Sequence, residues 1–457
     1  MTQVSVNPAT GRELERYESH SDEQAAQIVK AVAKAQREWK RSEHRERGAG
    51  LQRLADALRA RSDELAQLMA REMGKPVSDG RSEVEKCAWV CEHYAEFGPS
   101  ILADERLPSE PDGPDAFSVY QPLGVVLAVM PWNFPLWQVF RFLAPALAAG
   151  NAGVLKHASN VPGCALAIEE LVRDAKFPGD VFRTLLIGSK QVDAVLSLPE
   201  VRAVTLTGST PAGRAVAKRA GELLKPQVLE LGGSDPYVIL DDADLEQAVA
   251  ACVTSRLINN GQSCVAAKRF VVVESVREEF EKRFVDAMSA RAFGDPLHDT
   301  TTLGCMARVD LRDELHEQVR ASVEAGARLA LGGEVPAGDG AFYPPTVLAD
   351  VAPGMPAYDD ELFGPVAAII TARDADDAIR IANDSPFGLG AAVFTRDREL
   401  GRRLAAEHLD AGCCFVNGFV KSDPRWPFGG IKDSGYGREL GLWGPREFMN
   451  AKTVVVN

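Results

Sequence analysis

Three residues of this chain have the type and setting for acyl chemistry: Cys264 in NNGQSC, Asn133 in MPWNFP and Glu230 in LELGGSDP. A thiol placed just after a helix and a glycine turn can be presented to a substrate instead of packed. With a pKa of about 8.5 it is only a few per cent ionised near neutrality, yet it is strongly nucleophilic. Asn133 follows a strand, so its side-chain amide can donate to an oxyanion that develops on attack. Glu230 ends a strand ahead of two glycines that let the backbone turn at the sheet's C-terminal edge, where ligands bind. A carboxylate there can activate water against a thioester. Each has a plainer use alone: most cysteines are inert core, Asn133 can cap the helix that follows, and a lone glutamate is usually solvated or paired.

A fourth segment, LTGSTPAG, runs from a strand through Gly208 and Ser209 into a helix, the arrangement in which backbone amides and a helix N-terminus receive a phosphate. A single Gly-rich turn is weak by itself. The GxGxxG dinucleotide fingerprint, HExxH, the Walker phosphate loop and GxSxG are all absent.

The elements that must position these residues show in the apolar periodicity. From Ser21 to about Phe97 the spacing is helical, with expected stops at Gly74 before Pro76 and at Gly98 before Pro99. From Val125 onward short apolar runs alternate with amphipathic segments: VVLAVM then 136–149, GVLK then 161–175, FRTLLI then 191–198, AVTLT then 211–220. After LELGGSDP the pattern restarts with PYVIL, a helix expected over 245–260, and RFVVV. Such alternation predicts βαβ units and parallel sheets, and 457 residues exceed what one core supports, so two or three domains are expected.

Bulk properties narrow the partners. With 46% hydrophobic and 25% charged residues the chain has ordinary globular composition, which argues against disorder. A net charge of -14 repels phosphate backbones and anionic lipid surfaces, leaving a small molecule as the expected partner. The longest uncharged apolar stretch, 123–136, is too short and too proline-interrupted to span a bilayer, and the N-terminus lacks a secretory pattern. Eight cysteines without a CxxC pair argue for reduced thiols and a cytoplasmic location, with Cys87 and Cys91 as helix packing.

Taken together, MPWNFP, LTGSTPAG, LELGGSDP, NNGQSC, ELFGPV and PFGGIKDSGYGRE resemble the aldehyde dehydrogenase superfamily in that family's order and approximate spacing, from NPATG to the final VVVN. The resemblance implies Cys264 as nucleophile, Asn133 with the Cys264 backbone amide as oxyanion hole, and Glu230 as general base. It also implies that Trp132, Lys156, Gly208, Ser209, Glu361 and Phe363 line a nicotinamide cofactor, with Glu361 holding its nicotinamide ribose. No metal is required. Many NAD-preferring relatives carry a glutamate where this chain has Ser159; a serine there can donate to a 2′-phosphate and Lys156 can pair with it, so NADP is expected, with NAD possible.

The implied fold is α/β. A dinucleotide-binding domain would comprise 1–103 and 123–233, a catalytic domain 234–430, and an oligomerisation element 104–122 with 431–457. The β-branched tail would be an exposed edge strand in a monomer, so a homodimer or homotetramer is expected.

Several wordings, among them LKHASNVPG and NGFVKSDPRWPFGG, resemble the short bacterial succinate-semialdehyde dehydrogenases. Arg141 and Ser422 match that family's carboxylate-binding pattern, although Ile258 stands where many relatives have a second arginine. Arg141 lies eight positions after Asn133 in an apolar helix, so it must meet an anion: a substrate carboxylate, or an internal acidic partner. The rival readings are a broader aliphatic aldehyde dehydrogenase, a cysteine hydrolase using only the thioester half of the chemistry, and a non-catalytic binding protein on the same scaffold.

Overall fold

A computed structural model describes residues 2–109, 113–291 and 293–457. The front section is four helices, Asp22–Trp39, His44–Ala60, Ser62–Met73 and Val77–Ile101. The first opens on a capping box, in which Ser21 and Gln24 satisfy one another's backbone N–H groups. Gly74 caps the third helix in the left-handed conformation (φ 77°), as its place before Pro76 predicts. The stop expected at Gly98–Pro99 does not occur. Pro99 removes one hydrogen bond near the end of a helix that is packed along its length against His44–Ala60 and Trp137–Ala148, and the helix runs on to Ile101.

Two sheets follow. The first has the order Gly435–Tyr436, Gln227–Glu230, Val201–Thr207, Val125–Val129, Ala152–Lys156, Phe182–Thr184, parallel except for its first pair. The second has the order Arg328–Leu331, Thr346–Ala349, Val366–Ala372, Arg269–Val273, Pro236–Ile239, Gly390–Phe394, Cys413–Val416, antiparallel only at Arg328–Leu331. The central strands of the second sheet are buried on both faces. Val238 and Val271 enter one apolar core while Tyr237, Ile239, Phe270 and Val272 enter the other, as a two-residue repeat requires.

A third sheet pairs the tail Met449–Val456 with Asp115–Pro122 and Glu105–Arg106. Residues 431–448 lie elsewhere: Ile431–Lys432 pairs with Phe387–Gly388, and Gly435–Tyr436 with the strand that ends in Glu230. The helix expected over 245–260 stops at Leu257, because Ile258 is extended and Asn259, Asn260 and Gly261 all take positive φ. Asparagine tolerates that region and glycine prefers it. A Cβ on Gly261 would sit 2.3 Å from the Gly364 backbone, so this turn admits no side chain.

Candidate active site

The left-handed turn delivers Cys264 into a cavity of about 390 Å³ whose lining includes Phe134, Trp137, Arg141, Ile258, Ser422 and Phe428. Hydrogen bonds from side-chain amides and one lysine hold the loop. Asn259 Nδ2 donates to the carbonyls of Asn133 (2.6 Å) and Gln262 (3.0 Å), and Asn133 Nδ2 also donates to Gln262 O (3.0 Å). Asn260 ties the turn to Gly74 and Cys305, and Gln262 accepts from Ala307 N–H. Lys268 Nζ donates to the carbonyls of Ser263 (2.9 Å) and Cys264 (2.6 Å). Asn133 is buried and uses one amide hydrogen on this loop, leaving the second. Among the described residues none accepts from the Cys264 backbone N–H. Two donors therefore remain on the loop that carries Cys264, of the kind an oxyanion hole needs.

The Cys264 thiol is not freely exposed. Burial raises its pKa to about 12, with Arg141 and Lys268 opposing and Glu230 and Glu361 reinforcing the rise. The thiol must lose its proton as it attacks. Glu230 is buried, and neither carboxylate oxygen has a hydrogen-bond partner. Burial, with Glu439 adding and Arg141 opposing, pushes its pKa well above the carboxylate range.

Arg141 lines the cavity but also has internal acids. Its Nε pairs with Glu439, its Nη2 lies 4.0 Å from Glu230 and 3.3 Å from Thr207 Oγ1, and its guanidinium stacks over Phe428. Burial works against its charge, yet Glu439 and Glu230 outweigh burial and hold the guanidinium protonated. The internal ion pair that the sequence left open is thus present, with Glu439 as its acid.

Away from the sulfur, one face of Val77–Ile101 lines the cavity with Ser78, Asp79, Ser82, Glu83 and Lys86, a polar stripe at helical spacing. Glu83 Oε1 accepts from the backbone N–H of Leu136 (2.9 Å) and Trp137 (2.8 Å), capping the helix that carries Arg141, while its other oxygen pairs with Lys75. Ser422 Oγ accepts from Trp137 Nε1 (3.1 Å) and Lys86 Nζ (2.9 Å). Sequence reading selected Arg141 and Ser422 but passed over Asn259, Lys268, Glu439 and Lys86.

The residues expected around a cofactor gather at the C-terminal edge of the first sheet. Lys156 ends its strand partly buried, its pKa lowered by burial, and among the described residues no carboxylate pairs with it; Ser159 is exposed three residues on. Ser209 is the N-cap of Thr210–Glu222, but its hydroxyl makes no capping bond, so the helix's first amides stay available. Trp132 meets Phe363 edge-on at 5.8 Å. Glu361 accepts from Gly233 N–H and pairs with Lys268 at 3.1 Å, which joins this edge to the Cys264 loop. An uncompensated lysine, an idle helix cap and an exposed serine form a donor set that fits a phosphorylated dinucleotide.

A half-buried thiol, a buried carboxylate of raised pKa and an edge that fits a dinucleotide are what an aldehyde-oxidising enzyme needs, and the chain belongs to the aldehyde dehydrogenase family, whose model matches residues 1–454. Among its relatives, the NAD(P)+ succinate semialdehyde dehydrogenase of Escherichia coli is 48% identical over 451 residues, covering 99% of this chain and 97% of that one. The NADP(+) succinate-semialdehyde dehydrogenase of Mycobacterium leprae is 47% identical over 456 residues, covering 99% of each. The succinic semialdehyde dehydrogenase of Streptococcus pyogenes, solved with NADP+, superposes with a TM-score of 0.96 at 36% identity over the full length of both chains.

Proposed function

We propose that this protein oxidises succinic semialdehyde to succinate with NADP+, and less readily with NAD+, through a thioester on Cys264. The observation that carries the reading is one cavity that holds the Cys264 thiol together with Arg141, Lys86 and Ser422, a reacting group and a set of carboxylate-binding groups facing one small space. A plain aliphatic aldehyde has no use for the polar groups, and a hydrolase has none for the dinucleotide edge.

Chain residues divide the work. Cys264 attacks the aldehyde carbon and gives up its thiol proton to solvent, with Arg141 and Lys268 favouring the thiolate. The resulting thiohemiacetal oxyanion is met by Asn133 Nδ2–H and the Cys264 N–H. A nicotinamide cofactor would supply the hydride acceptor; Glu361 would hold its ribose, and Lys156, Ser159, Gly208 and Ser209 its phosphates, beside Trp132 and Phe363. Glu230 then activates the water that cleaves the thioester. Arg141 lends positive potential to the substrate's carboxylate while pairing with Glu439.

Supporting features extend to setting and assembly. All eight cysteines are free, which suits a reducing cytoplasm, and among the described residues no helix is long and apolar enough to cross a membrane. The tail strand Met449–Val456 has one edge paired to Asp115–Pro122; its exposed Val455 and Val456 suit pairing with a second subunit, and hence a homodimer or homotetramer. In domain terms the reading keeps 1–103 with 123–233, 234–430, and the paired strands of 104–122 and the tail as separate units.

The test is kcat/KM for succinic semialdehyde against butyraldehyde with both cofactors. Succinic semialdehyde should win by about ten- to a hundred-fold, the value of one charge-assisted hydrogen bond of about 1.5–3 kcal/mol. Ser159→Glu should move the NADP/NAD ratio toward NAD, because a carboxylate repels the 2′-phosphate. No preference for the carboxylated aldehyde overturns the substrate, and an unmoved ratio overturns the part given to Ser159.

A further inference from the structure

Three lysines or arginines with side chains in or behind the cavity wall already have an acid: Lys75 pairs with Glu83, Arg141 with Glu439, and Lys268 with Glu361. Lys86 differs. It is partly buried, and among the described residues it has no ion-pair partner. Glu83 is occupied by Lys75 and by two backbone N–H groups, and Asp423 is occupied by Arg425, so both act on Lys86 only from a distance. Its ammonium lies 4.2 Å from the Trp137 ring and donates to Ser422 Oγ. A partly buried cation without a counter-ion is costly, and burial with the nearby Arg141 lowers its pKa to about 8.

Ser422 adds a directional constraint. A hydroxyl has one donor and two lone pairs. Oγ accepts from Lys86 Nζ at 2.9 Å and from Trp137 Nε1 at 3.1 Å, so both acceptor positions are taken and the hydroxyl can serve only as a donor. Among the described residues nothing accepts that proton, and Ser422 lines the cavity. Two donors, one of them cationic, are thus assembled on a rigid indole at one place in the wall with no acceptor supplied by the protein.

We propose that Lys86 is a specificity-determining residue that, with the Ser422 hydroxyl, forms a two-point clamp for the distal carboxylate of the aldehyde substrate. Lys86 provides the counter-charge and one N–H, Ser422 the second donor, and Trp137 fixes both. Arg141, whose charge Glu439 already answers, acts from behind. The clamp also accounts for the absence of a second arginine: Ile258 occupies that position on the cavity wall, and the cation comes instead from the helix Val77–Ile101.

This inference rests on the substrate class proposed above, and its test separates the two. The readout is the ratio of kcat/KM for succinic semialdehyde to kcat/KM for butyraldehyde, in the full-length enzyme and in Lys86→Met, Lys86→Arg and Ser422→Ala. Lys86→Met should lower the ratio at least tenfold, mainly through KM for the semialdehyde. Lys86→Arg should recover a large part of it, and Ser422→Ala should lower it less than Lys86→Met. Because a misfolded variant would lose both activities together, binding is also measured directly, by calorimetric titration of succinate into Cys264→Ser with and without Lys86→Met. The second substitution should weaken succinate at least tenfold. A wild-type preference for the semialdehyde that survives Lys86→Met, with unchanged succinate affinity, overturns the clamp and leaves the substrate class standing. A wild-type enzyme with no such preference overturns both.

Discussion

The two sides of Cys264 are built on opposite plans. On one side Asn133, Asn259, Asn260 and Gln262 form a neutral network of side-chain amides and backbone carbonyls that joins the MPWNFP turn, the NNGQSC turn and the loop at Cys305. On the other, Arg141, Glu230 and Glu439 share one buried positive charge among two acids, and both oxygens of Glu230 have no hydrogen bond. Uncharged hydrogen bonds fix a position without responding to pH, which is what an oxyanion hole needs. A crowded, under-bonded carboxylate binds a proton more tightly than a solvated one, which makes it the stronger base. The proposed mechanism thus gives placement and proton transfer to different chemistries around one sulfur.

Breaking the charged side should cost the fold most. Arg141→Ala leaves Glu439 and Glu230 buried without their cation, at a cost of about 3–5 kcal/mol. Thermal unfolding should show a clear drop in Tm, together with loss of turnover on carboxylated and plain aldehydes alike. An unchanged Tm would mean that the pair with Glu439 is not structural.

The neutral side should fail differently. Asn133→Ala should leave stability nearly intact while raising the barrier by about 2.7–4 kcal/mol, roughly a hundred- to a thousandfold in kcat. Near-normal turnover would remove Asn133 from the oxyanion hole.

How much of this was legible in the sequence follows the same division. Strands such as RFVVV and VVLAV read directly, because burial on both faces demands continuous apolar runs, and Cys264, Asn133 and Glu230 stand in segments whose glycines, prolines and asparagines mark turns at strand and helix ends. Lys86, Asn259, Lys268 and Glu439 did not read. Lys86 lies on a long helix whose polar stripe looks like an ordinary solvated face until the neighbouring helix covers it, and Glu439 meets Arg141 across some three hundred residues of chain. NNG did advertise a left-handed turn, which should have ended the helix at Leu257 instead of Asn260. The tolerated Pro99 was illegible for a related reason: packing of the whole helix outweighs one missing hydrogen bond.

The most direct test of the account is the pH-resolved pre-steady-state behaviour of Glu230→Gln. In the proposed mechanism the ionised carboxylate is the working base, and burial raises its pKa, so wild-type turnover should be full above that raised value and fall as pH drops through it, in a window above the ordinary carboxylate range. Glutamine cannot titrate, so the variant should lose that limb of the profile. It should also release one burst of reduced cofactor per active site followed by slow turnover, because the thioester forms but water is no longer activated. A variant that keeps the wild-type steady-state rate and pH profile, or that shows no burst because deacylation was never slowed, would contradict the assignment of Glu230 as base and with it the proposed division of labour around Cys264.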